Sequence, residues 1–376
     1  MSEKTFEYLL PSTLSFDNYL EVEKDIHLKI DRQSFEHIIL NASNTKYISS
    51  AGLRVILGIR NKGYRVSVID VSPEVYDVFD MTGFTKIIEV ERAFRQVSID
   101  GCRCIGKGVH GTVYSLAPDT IVKVYSNNTT LEEIKNEREL SKRAFVYGLP
   151  TAIPLDIVKV GDQFGTIFEL LNAISCASYI SESQENTDDF INKATDLLKK
   201  IHSIEVNDGS LPDMKERVVA YVNDLKGHLS DDDFNKTLNI IKNVPQTNTL
   251  LHCDFHLKNQ LVVKGELMLI DMDTLCIGHP YFELASTCNS YYQYGIIDST
   301  LITDFLGISV EKANYIWWGI AKKYFSDLNE EEYQLAINKI RLIGLVRAFH
   351  FFTKHNYDKA IINKALNELI TVLANL

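Results

Sequence analysis

No stretch of the sequence approaches the roughly eighteen unbroken apolar residues that would span a bilayer, so it reads as a soluble chain with no membrane partner. The N-terminus, Met1-Ser2-Glu3-Lys4-Thr5, lacks the apolar core and small-residue cleavage site of a secretory signal. A cytoplasmic location is the expectation. Cysteine pairs are missing as well: Cys102, Cys104, Cys176, Cys253, Cys276 and Cys288 show no CxxC-type spacing, which argues against a zinc site or a thioredoxin-like motif and leaves reduced thiols. Positive charge is scarce, with a net charge of −11, and nucleic acid, which is bound through clustered Lys and Arg, is excluded as a partner. Internal repeats and low-complexity linkers are absent.

What is present is ordinary globular sequence, 45% hydrophobic and 24% charged. At 376 residues it is long enough for two domains, each with its own core. From Ser15 to about Glu91, β-branched runs alternate with amphipathic stretches, the pattern of an α/β sandwich. The spacing predicts strands at His37–Leu40 and Val66–Ile69, helices at Ala51–Arg60 and Pro73–Met81, and a closing strand at Lys86–Ile88. The pattern lapses around Arg95–Gly101, so a boundary is expected near residue 97. Strands then follow at Arg103–Ile105, Val113–Ser115, Ile121–Val124 and Thr166–Phe168, with a charged helix near Glu132–Phe145. Beyond Thr187 helical periodicity takes over, broken by short strands at Gln260–Val263 and Leu267–Ile270. Two unequal lobes result.

Three clusters could do chemistry. Gly106, Gly108 and Gly111 make a GxGxxG, and the β-branched run Thr112-Val113-Tyr114 behind it reads as a strand rather than the helix a dinucleotide fold would need. Such a strand-loop-strand can cover a nucleotide triphosphate with its backbone amides. Lys123, one strand further on, suits an ammonium holding the α- and β-phosphates, with Glu132, Glu133, Glu137 and Glu139 competing to orient it and Glu137 the choice. The most specific signal is His252-Cys253-Asp254-Phe255-His256-Leu257-Lys258-Asn259, followed by Ile270-Asp271-Met272-Asp273. Two acids and an amide in that order can bring a base, Asp254, and two magnesium ligands, Asn259 and Asp271, to a terminal phosphate. His252 is expected to brace the loop, and His256 and Asp273 are less certain members. Aromatic residues on the C-terminal helices (Tyr315, Trp317, Trp318, Phe349, Phe351, Phe352) read as core.

With these motifs in kinase order, residues from about 101 to 376 resemble the aminoglycoside phosphotransferase/choline kinase family. The catalytic loop stands where that family has HGDxHxxN, with Cys253 in place of the usual glycine. Ile270–Asp273 is similar to its metal-binding segment, Gly278-His279-Pro280 to its GxP turn, and Leu198–His202 to its LxxLH segment. The resemblance implies that backbone groups of Glu169 and Leu171, in Phe168-Glu169-Leu170-Leu171, hold adenine. Residues from roughly Leu9 to Glu91 resemble the STAS fold of anti-sigma-factor antagonists, with Tyr47-Ile48-Ser49-Ser50-Ala51-Gly52-Leu53 at its phosphoacceptor turn and Val78–Phe84 at its second signature. Ser50 then holds the phosphorylatable position, with Ser49 where an aspartate normally precedes it.

The implied architecture is an α/β STAS-like domain (1–97) plus an α+β two-lobed protein-kinase-like domain (98–376), itself divided into a strand-rich lobe (98–172) and a helical lobe (173–376). The implied activity is ATP- and Mg-dependent phosphorylation of a hydroxyl on a small acceptor, aminoglycoside-, amino-sugar- or choline-like, with regulation or a protein partner through the STAS section. The alternative is a signalling protein that senses nucleotide or phosphorylates a protein. Acceptor specificity lies in C-terminal helices that carry no diagnostic pattern.

Overall fold

The computed structural model of the chain describes residues 4–30, 35–108 and 111–376. Val109 and His110 of the glycine loop lie outside the described residues, as do Met1-Ser2-Glu3. The fold divides into two compact units, Met1–Asp100 with Ile157–Gly165, and Gly101–Asp156 with Thr166–Leu376.

In the first unit Thr5–Leu9, His37–Asn41, Arg65–Val71 and Glu89–Arg92 form a four-stranded sheet in that order, each neighbouring pair parallel. Parallel strands need crossover segments, which is what the helices Tyr19–Ile30, Ser50–Asn61 and Pro73–Met81 supply. Their apolar stripes, Ile26, Ile56, Ile59 and Phe79, share one core with Ile38, Leu40, Val66 and Val68. The expected closing strand at Lys86–Ile88 is not one. Gly83 sits at φ 76, a left-handed turn that starts a short 3-10 segment, Phe84–Lys86, and the strand begins only at Glu89. Ile88 still reaches the core, at 7% exposed, which is why its apolar character mimicked a strand. The first strand and first helix went unread. In this unit Arg95–Gln96 also pairs in parallel with Val158–Lys159, on the strand Pro154–Val160 that sequence patterning missed.

The second unit opens with Cys104–Lys107, Gly111–Ala117 and Thr120–Tyr125 as an antiparallel meander. The helix Leu131–Val146 follows, started by a capping box between Thr130 and Glu133. The remainder is mostly helical. Leu250–Leu251 pairs with Cys276–Ile277, Gln260–Val263 with Glu266–Leu269, and the helices Gln184–Ile201, Pro280–Cys288, Val310–Tyr324, Glu330–Lys354 and Lys359–Leu373 enclose one large apolar core. Trp317, Phe349 and Phe352 are buried in it as expected, whereas Tyr315 and Phe351 are exposed. Among the described residues no helix is long and apolar enough to cross a membrane.

Candidate active site

Strand alternation sets Lys123 apart from its neighbours: Val122 and Val124 are buried on one face, and the lysine projects from the other. Its Nζ donates to Glu137 Oε1 at 2.8 Å and to Asp271 Oδ1 at 3.1 Å. Helical periodicity explains why Glu137 is the partner, because Ile134, Glu137, Leu140, Ser141 and Ala144 make the inner face of Leu131–Val146. Glu133 is spent on the capping box, Glu139 pairs with Lys142 at 2.8 Å, and Glu132 is exposed. Burial alone would push the Lys123 ammonium down, but the carboxylates of Asp271 and Glu137 reverse this and hold it well above the usual lysine range.

The loop carrying Asp254 is held by groups far away in sequence. Cys253 adopts φ 65, a conformation that strains any residue with a Cβ and accounts for the family's glycine at this position. Glu283, fully buried, accepts the backbone N–H groups of His252 at 2.5 Å and Cys253 at 2.7 Å and so fixes the turn. Arg347 donates to the carbonyls of Cys253 and Phe282, at 3.1 and 2.8 Å. Neither Glu283 nor Arg347 was found from the sequence. Glu283 lies three residues past the Gly278-His279-Pro280 turn, a spacing that could have flagged it; nothing local marks Arg347. His252 is buried and braces the loop, its Nδ1 accepting the Asp254 N–H at 3.3 Å.

Asp254 presents a fully engaged carboxylate. His256 Nε2 lies 3.2 Å from Oδ1, and Asn259 Nδ2 donates to Oδ2 at 2.7 Å. Burial raises its carboxyl pKa, but the neighbouring His256, then His252 and the Asn259 hydrogen bond, outweigh that and bring it down to about 2. Asp271, at φ 66, turns its carboxylate toward Lys123. Asp273 has its carboxyl pushed up to about 7 by loss of hydration and by the charges of Asp271 and Glu137.

That excess of carboxylate over lysine, with hard oxygen donors on Asn259 and Asp271, fits a magnesium ion. Among the described residues no three His, Cys, Asp or Glu side chains converge to hold a metal alone, and magnesium commonly completes its shell with phosphate and water.

The remaining expected residues are distributed as follows. A Cβ on Gly111 would lie 2.3 Å from the carbonyl oxygen of Val124, so this glycine is required by strand packing, whereas Gly106 and Gly108 meet nothing closer than 3.8 Å. Glu169 ends its strand with Oε1 accepting the Ile153 N–H at 2.9 Å, and Leu171 follows in the connecting segment. Ser50, in the other unit, is the exposed first residue of its helix. The cap is Ser49, whose side chain accepts the Ala51 N–H at 3.2 Å, so the Ser50 hydroxyl is not taken up as the helix cap.

Comparison with known proteins follows the same division. Residues 101–300 match the phosphotransferase enzyme family. The chain belongs to that family. Residues 3–97 match the STAS domain. Over 65 residues the chain is 42% identical to an anti-sigma F factor antagonist of Paenibacillus polymyxa, a match covering 16% of this chain and 56% of that relative, little more than half its length. The fold of the GDP and kanamycin complex of the aminoglycoside phosphotransferase APH(2″)-IIIa is similar, with TM-score 0.51 and 11% identity over 80% of this chain and 98% of that one. A choline/ethanolamine kinase family protein of Mesorhizobium loti matches at TM-score 0.45 and 11% identity, covering 72% of this chain and 87% of that one. This phosphotransferase therefore joins an α/β STAS domain to a kinase-like α+β fold.

Proposed function

We propose that this phosphotransferase moves the terminal phosphate of ATP, with magnesium, to a hydroxyl of a small molecule. The observation that carries the reading is Lys123 bridging Glu137 and Asp271 in the unit that also holds Asp254 against Asn259. Lys123 would donate to the α- and β-phosphate oxygens, while the amides around Gly106, Gly108 and Gly111 cover the triphosphate and backbone groups of Glu169 and Leu171 hold adenine. Asn259 and Asp271 would hold magnesium, which when bound neutralises charge developing on the phosphates. Asp254, ionised throughout the physiological range, accepts the hydrogen bond of the acceptor hydroxyl and orients it for in-line attack. So weak a base takes the proton late, as a loose phosphoryl-transfer transition state permits. Substrate-stimulated, magnesium-dependent ATP turnover that Asp254→Asn abolishes is the test. Intact Lys123, Asp254, Asn259 and Asp271 speak against a section that only senses nucleotide.

The STAS section, residues 1–97, is proposed to regulate this activity by phosphorylation of Ser50 and by docking a protein partner. Its exposed hydroxyl at the positive end of the helix Ser50–Asn61 supports this, because a phosphoryl group there is favoured by the helix dipole. Mass spectrometry of cell-derived protein that finds no phosphate at Ser50 under any growth condition counts against it.

A further inference from the structure

Within the turn Leu257–Asn259, between Asp254 and the following strand, Leu257 and Asn259 are buried and Lys258 alone is exposed. Its Nζ lies 5.1 Å from the centre of the Phe305 ring, on the helix Thr300–Leu306. Phe305 as a residue is 37% exposed, so part of this aromatic side chain is open to solvent. The His256 ring lies 4.8 Å away and nearly perpendicular to it, and His256 Nε2 in turn lies 3.2 Å from Asp254 Oδ1. Asp254, His256, Phe305 and Lys258 thus form a continuous row running from the base to a cation.

Among the described residues no carboxylate lies within ion-pair distance of Lys258. The acids nearest in sequence to Phe305 are turned elsewhere: Asp298 accepts from Thr300 and pairs with Lys364 at 3.8 Å, and Asp304 accepts from Thr303. An ammonium over an aromatic face with no ion-pair partner, separated from the base by the rings of Phe305 and His256, repels a cation and attracts an anion. We propose that Lys258 and Phe305 form an acceptor subsite for an anionic group, so that the substrate is a small hydroxy compound bearing a carboxylate or phosphate and an apolar face. This rests on the kinase reading and turns the acceptor away from the polycations that the resemblance implies. Phe305 would flank the carbon skeleton, and Lys258 would donate to the anion while the hydroxyl meets Asp254.

The test uses the full chain with ATP and magnesium against acceptors matched in skeleton: glucosamine, glucose, gluconate and glucose phosphate, then glycerol, glycerate and glycerol phosphate, with choline beside them. The carboxylate and phosphate members separate the two sources of the anion. The anionic members should stimulate turnover most. Lys258→Glu should raise their KM about tenfold or more with kcat changed far less, and Lys258→Arg should restore most of it. A preference for glucosamine or choline that Asp254→Asn abolishes would overturn the subsite and leave the kinase reading standing. So would anionic acceptors whose KM is indifferent to Lys258→Glu, or nucleotide binding without stimulation by any anionic member. Failure to bind nucleotide with magnesium at all would remove the kinase reading, and the subsite with it.

Discussion

Replacing Glu283 by glutamine isolates the device that shapes the loop carrying Asp254. The change keeps side-chain volume, so no cavity forms, but a charged acceptor of two N–H groups becomes an amide that accepts one and turns an NH2 toward the other. Each charge-assisted hydrogen bond contributes about 1.5–3 kcal/mol, and relief of a buried charge offsets part of the loss, so a destabilisation of about 2–4 kcal/mol is expected. Denaturant unfolding followed by tryptophan fluorescence reads it cleanly, because the two tryptophans, Trp317 and Trp318, both lie on the helix Val310–Tyr324 of the kinase-like unit. With Cys253 no longer held at its strained φ, Asp254 loses its aim, and kcat should fall about tenfold to hundredfold. A variant that unfolds at the wild-type midpoint and turns over at the wild-type rate would refute the argument that Glu283 holds this turn.

Glu137→Gln should lower kcat/KM for ATP about tenfold to hundredfold, because Lys123 is left to Asp271 alone; steady-state kinetics at saturating acceptor check this. Gly111→Ala should cost about 1–3 kcal/mol by overpacking against the Val124 carbonyl, whereas Gly106→Ala, which has room, should leave the unfolding midpoint nearly unchanged. His279 caps the helix Pro280–Cys288 through Nδ1, and burial, followed by the charges of His202, Lys215 and Lys339, lowers its pKa to about 4. The unfolded chain therefore takes up a proton near pH 6.5 that the folded chain refuses. Stability should be full above that pH and fall by about 1–3 kcal/mol as the pH drops from 6.5 to about 4. His279→Asn, which keeps a capping side chain, should flatten that fall when unfolding is measured at pH 7 and pH 5.

The loop proposed to be catalytic could be nominated from the sequence because its groups are contiguous: eight residues from His252 to Asn259 carry the acid, the amide and the histidine, and the structure holds Asp254 against His252 and Asn259. Helical spacing could nominate Glu137 but could not exclude Glu132, Glu133 or Glu139. Only the structure sets the others aside: Glu133 is in the capping box, Glu139 pairs with Lys142 and Glu132 is exposed. Glu283 and Arg347 escaped because they act on backbone groups 30 and 94 residues away, and such contacts leave no local periodicity. Thr5–Leu9 escaped for a related reason. It alternates exposed and half-buried positions at the edge of the sheet and carries little apolar signal, although its parallel register with His37–Asn41 is unbroken. The strand misplaced at Lys86–Ile88 shows the opposite error, an apolar pair read as extended where a left-handed glycine had already set a turn.

The central claim is that Asp254 orients an acceptor hydroxyl for attack on magnesium-bound ATP. Acceptor-stimulated ADP release by the full chain, measured beside Asp254→Asn and with magnesium chelated, tests it most directly. The account predicts that the substitution lowers turnover about 10²–10⁴-fold with ATP still bound, and that chelation abolishes it. Turnover by Asp254→Asn within a few-fold of wild type, or undiminished by chelation, would contradict it.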